Sequence, residues 1–181
     1  DVCPGQGRGQ QTIAALDPQG APFKALVKTL VDARVALTST LTVFEAGMPA
    51  RPVPPGIDVL LPSLKAQFEA NRARAAAAPT SVMPALFPKA MQLEREFARA
   101  GGVLLAGTDP TGGGGVIPGF SNQRQLELLV EAGFTPLEAI TIATRNGARF
   151  LGREGRIGTV APGKQADLMI VAGDPSRAIG D

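Results

Sequence analysis

The chain has 181 residues, 44% of them hydrophobic and 19% charged, enough for one domain with a core and too apolar for a disordered chain. Eighteen basic residues against sixteen acidic ones give a net charge of +2, and Tyr and Trp are absent, so there is neither the charge nor the aromatic surface of a nucleic-acid-binding protein. The single cysteine, Cys3, excludes an internal disulfide or a cysteine-only metal site, and the absence of histidine removes the commonest general base and metal ligand.

No apolar run approaches the roughly 18 residues of a membrane-spanning helix, so no membrane partner is expected. The chain opens on Asp1 rather than Met, as a processed chain or a piece of a longer one does, and compartment stays unknown. Residues 1–20 are rich in Gly, Gln and Pro and read as a loop. Cys3 lies in that loop with no imidazole to activate it, a poor nucleophile. From Pro22, apolar residues at Phe23, Leu26, Val27, Leu30 and Val31 recur at helical spacing and predict a helix to Ala33. Val35 to Val43, VALTSTLTV, is β-branched and predicts a strand.

Five prolines between Glu45 and Pro62 exclude helix and inner strand and leave a long excursion of the kind that forms lids and binding loops. Leu64 to Ala78 reads as an exposed alanine-rich helix ended by Pro79, and Pro84 to Ala100 as an amphipathic one burying Leu86, Met91, Leu93 and Phe97. Next comes GVLLAGTDP, residues 102–110. A continuous apolar run is what a parallel strand covered on both faces looks like, and Asp109 stands at its C-terminal end, where α/β folds place chemistry.

After the glycine-rich stretch Thr111 to Gly115, Ser121 reads as the N-cap of a helix that Gly133 closes. Thr135 and Glu138 form a capping box, with Pro136 at the first helical position, opening a helix to Gly152. From Gly155 the texture becomes β: a short strand at Ile157 to Val160, a Pro162-Gly163 turn and a buried strand at Asp167 to Val171. Residues 1–152 and 153–181 thus form two regions.

Asp109 is the leading site candidate. A carboxylate fixed in direction at a strand end suits coordination or proton transfer; an Asp capping the next loop is the alternative. The Thr111 to Gly115 loop can form an anion nest but lacks P-loop residues. Thr144, Arg145 and Asn146 read as the solvated side of a helix, and Glu45 as a solvated charge.

GTDP at 107–110, ELLVEAGFTPLEAITIATRNGARFLG at 127–152 and IGTVAPGKQADLMIVAGDP at 157–175, in that order, resemble the C-terminal part of the amidohydrolase superfamily, its imidazolonepropionase-like and Xaa-Pro dipeptidase-like members above all. The resemblance implies an α/β fold: the last two strands of a (β/α)8 barrel with their helices, at 35–43 and 103–106, followed by part of a small β-sandwich. It implies one or two divalent metals, commonly zinc, that activate water to cleave carbon–nitrogen bonds of a small-molecule substrate. Asp109 matches the aspartate that binds the metal and takes the proton from water. The family's other ligands, a His-x-His pair on the first strand, a lysine or carboxylate on the fourth and histidines on the fifth and sixth, have no counterpart here. The chain is therefore expected to be a fragment of such a hydrolase, holding no metal and turning over no substrate alone, with a homo-oligomer possible for the parent. A catalytically silent relative and an anion-binding α/β module are the competing readings. Val35, Leu37, Leu41, Val103 and Leu105 are expected to face the barrel interior, uncovered, which would make the isolated piece aggregation-prone.

Overall fold

The structure, a computed structural model, describes residues 6–48, 50–78, 81–110 and 115–180. Cys3, Pro79 and Thr111 to Gly114 lie outside the described residues. The elements are α1 (Gln6–Ala15), α2 (Ala21–Asp32), β1 (Ala36–Ser39), α3 (Leu41–Ala46), a 3-10 turn (Ile57–Val59), α4 (Pro62–Ala76), α5 (Met83–Arg99), β2 (Val103–Ala106), α6 (Phe120–Glu131), α7 (Pro136–Thr141), a π-helical turn (Ile142–Asn146) and α8 (Gly147–Phe150).

β1 and β2 pair in parallel, Ala36 opposite Val103 and Ser39 opposite Ala106. Side chains alternate across a strand, so this register puts Leu37, Ser39, Leu104 and Ala106 on one face. Helices cover that face: Leu104 is buried with Leu41, Phe87, Leu128, Leu129 and Ile142, and Leu37 and Ala106 pack against the cluster. On the other face Thr38 is exposed, and Ala36, Val103 and Leu105 are only partly buried. Val103 and Leu105 thus lie on the open face as expected. Leu37 and Leu41 do not, because the register sends Leu37 to the helices and Leu41 belongs to α3, where it is wholly buried.

The expected strand at Val35 to Val43 is therefore shorter than read. It ends at Ser39, and Leu41, Thr42 and Val43 turn into α3. The β-branched Thr42 and Val43 suit a strand, yet Leu41 and Thr42 gain burial by coiling back over the sheet, and tertiary packing outweighs propensity. The N-terminal loop is likewise corrected. Residues 6–15 form α1, lying beside α5, and Leu16 after it packs against Phe23, Val27 and Phe97.

Backbone bonding explains where the helices stop. After α2, Val35 N–H donates to Leu30 C=O and Arg34 N–H to Val31 C=O, the paired bonds of a Schellman motif. The same pair closes α5 and α6, with Gly133 supplying φ +97° after α6. Arg34 carries the left-handed turn before β1 at φ 55° without being glycine.

The capping box opens α7 as read: Thr135 Oγ1 accepts from Glu138 N–H at 3.3 Å, and Glu138 Oε2 accepts from Thr135 N–H at 2.7 Å. Thr135→Ala should cost about 1 kcal/mol in thermal unfolding and Thr135→Ser almost nothing; equal losses in both would discount the cap.

No strand forms among the described residues after Gly155. The stretch expected to be a buried strand leaves Met169 82% and Ile170 95% exposed. A strand exists only with a ladder partner, and among the described residues β1 and β2 pair only with each other.

Candidate active site

Parallel pairing brings the C-terminal ends of β1 and β2 side by side, and three polar groups gather there. The first is the Gly107-Thr108-Asp109-Pro110 corner. Gly107 N–H donates to Ser39 C=O at 2.9 Å, continuing the ladder one step past β2. A Cβ at Gly107 would stand 2.7 Å from Thr38 Cγ2, so a side chain here would have to displace that methyl. Asp109 follows in the left-handed region, φ 47°, exposed at the open end of the strands. Aspartate is among the few residues that tolerate this conformation.

The second group is buried behind the strand ends. Ser39 Oγ donates to Glu94 Oε2 at 2.6 Å and accepts from Gln125 Nε2 at 2.7 Å. Gln125 Oε1 accepts from Thr42 N–H at 3.3 Å, and Thr42 Oγ1 donates to Thr108 C=O at 3.1 Å. Burial pushes the Glu94 carboxyl up to about 7, against the smaller opposing pull of the Ser39 hydroxyl. Because the folded value lies above the ordinary 4.5, the stabilisation is complete below 4.5 and is lost as pH rises through about 7. Raising pH from 5 to 8 should therefore cost about 2 kcal/mol, discounted for a side chain that keeps some solvent contact. Glu94→Gln should remove this slope. Equal slopes in both proteins would assign the pH dependence to another group.

The third group is an ion-pair cluster just after β1. Glu45, 8% exposed, receives both Nε and Nη2 of Arg124 at 2.9 and 2.8 Å, and Nε of Arg51 at 2.8 Å. Arg51 also bonds Glu131 and lies 5.5 Å from the centre of the Phe87 ring, while Arg124 also bonds Glu127. Burial alone would raise the Glu45 carboxyl, but the bonds from Arg124 and Arg51 outweigh it and hold it below its usual value. Glu45 is thus no solvated charge: it ties the Pro-rich excursion, through Arg51, to α6 beside the strand ends. Nothing in the local sequence signals this, since its partners lie 6 and 79 residues away.

Ser121 is not the N-cap of α6, which is Gly119; it sits inside the first turn, buried, its hydroxyl without a hydrogen-bond partner among the described residues. Asn146 is no solvated residue either: from the π-helical turn its Nδ2 donates to Leu104 C=O at 2.9 Å. The Thr111 to Gly115 nest has only Gly115 among the described residues.

The larger clefts lie away from Asp109. One of about 460 Å³ runs between α2 and α5, and one of about 520 Å³ lies along α4. Beside Thr42, Glu45, Ser121 and Arg124 there is room of only about 10 Å³. A divalent metal needs three or more converging nitrogen, oxygen or sulfur donors. Among the described residues no three His, Cys, Asp or Glu side chains converge, and the chain has no histidine. Its donor set does not fit a metal by itself; Asp109 offers one carboxylate.

Two parallel strands with helices packed on one sheet face define an α/β protein. Within that class the chain belongs to the amidohydrolase family, whose profile matches residues 36–180. It is 32% identical over 102 residues to an imidazolonepropionase of Porphyromonas gingivalis, a match covering 53% of this chain and 24% of that protein. Over 65 residues it is 32% identical to adenine deaminase 3 of Rhizobium meliloti, covering 36% of this chain and 11% of that one. A crystal structure of an amidohydrolase shares the fold with a TM-score of 0.55 at 19% identity, over 84% of this chain and 31% of that one. The chain thus matches about a quarter of the length of the imidazolonepropionase.

Proposed function

We propose that the protein carrying this chain hydrolyses carbon–nitrogen bonds of a small cyclic amide or dipeptide-like molecule, with Asp109 as the acid that takes a proton from the attacking water. The observation that carries this reading is the position of Asp109: past the end of β2, exposed on the side where the strand ends open, and within the family match. An ionised carboxylate accepts hydrogen bonds at both oxygens, the chemistry that orienting a water and taking its proton requires.

In the same reading Asp109 is one ligand of a divalent metal, zinc being the family's common choice, whose remaining ligands lie outside this chain. Residues 1–152 then supply the last part of a barrel, and residues 153–181 part of a β-sandwich whose partner strands also lie outside. Two observations support this division: Val103 and Leu105 line a sheet face without full cover, and Met169 and Ile170 are apolar and exposed.

The test is hydrolysis by the whole protein of a panel of cyclic amides, Xaa-Pro dipeptides and aminopurines. Cleavage of at least one member is expected. Binding of a member with no turnover of any would instead support a silent relative that keeps the fold for binding.

A further inference from the structure

Asp109 holds a backbone conformation that non-glycine residues seldom adopt, φ 47°, and such conformations persist only where the surroundings impose them. The peptide unit before it is planar, so whatever holds Thr108 C=O also sets the direction of Asp109 N and Cα. That carbonyl accepts from Thr42 Oγ1 at 3.1 Å.

Thr42 is itself held. Its N–H donates to Gln125 Oε1, which leaves the Gln125 amide nitrogen to face Ser39; Ser39 Oγ accepts from it and has one proton, which goes to Glu94. Gln125 uses both ends of its amide, so it cannot flip without turning its nitrogen toward Thr42 N–H and losing both bonds. The series joins four elements, α5, β1, α6 and α3, and Ser39, Gln125 and Thr42 are 0%, 1% and 4% exposed. Apolar side chains would fill these positions without needing partners, whereas a polar network bonded from one element to the next favours one arrangement.

We propose that Thr42 is the positioning residue for Asp109, and that Gln125, Ser39 and Glu94 form the buried support that aims the Thr42 hydroxyl. The inference rests on the proposed role of Asp109 but is tested without substrate or metal, by hydrogen–deuterium exchange of the whole protein read on peptides spanning 103–110, with 136–146 as control. Thr42→Val should speed exchange at 105–109 about tenfold, the loss of one hydrogen bond, and leave the control unchanged. Thr42→Ser, which keeps the hydroxyl, should restore the slow exchange. Gln125→Met is the second variant should Thr42→Val not fold, with the same expected pattern. Unchanged exchange at 105–109, no rescue by serine, or an equal rise in the control peptide would each overturn the proposal. Failure of the hydrolase reading would leave these exchange rates as they are and would be read in turnover instead.

Discussion

Replacing Arg124 by alanine should lower the unfolding free energy by about 3 kcal/mol at pH 7, the lower end of what removing one partner of a buried ion pair costs. Arg124 is the main partner of Glu45: two of its nitrogens meet both carboxylate oxygens, and both side chains are largely withdrawn from water, 18% and 10% exposed. Without it, Glu45 keeps Arg51 alone and carries a burial penalty now only partly offset. The lower end of the range applies because Arg51 remains and because Arg124 keeps some solvent contact.

The pH dependence gives a second readout with a definite sign. In the native protein the Glu45 value is depressed, so its contribution is present above the ordinary 4.5 and is lost as pH falls through the lower folded value. In the variant that depression is weakened or reversed. The penalty for Arg124→Ala should shrink between pH 7 and pH 4.5, and Glu45→Gln combined with it should recover part of the loss at pH 7. Urea unfolding at the two pH values measures this, and a loss below about 1 kcal/mol at pH 7 would mean that the cluster behaves like a surface pair.

What the sequence disclosed follows the range of the interactions involved. The strand at Val103 to Ala106, the Thr135 capping box and the glycine stop after α6 are written in adjacent residues, and the structure has them as read. The family resemblance rests on motifs of similar compactness, and the family match covers them. Features set by distant partners were not legible. Leu41 to Val43 look like strand but join a helix because α5 and α6 offer Leu41 a core. Glu45 and Asn146 look solvated, and each finds its partner across the fold. Residues 167–171 look like a buried strand, and without a ladder partner among the described residues they remain in irregular, largely exposed chain.

For Asp109 the sequence left two meanings open, an acid that reacts and an acid that caps a loop, and one substitution separates them. Asparagine has the same shape, tolerates the left-handed backbone and still accepts loop N–H bonds, but it carries no charge and takes no proton. If Asp109 acts on water, Asp109→Asn should lower turnover by about 10³-fold, the scale of losing a positioned general base. Its unfolding midpoint should stay unchanged. The most direct measurement is therefore kcat of the whole protein and its Asp109→Asn variant, side by side with their thermal unfolding, on any carbon–nitrogen substrate it cleaves. The expected result is a collapse of kcat in a protein as stable as the parent. Turnover kept within about tenfold of the parent, a range outside what a general base supplies, would contradict the placing of chemistry at this strand end.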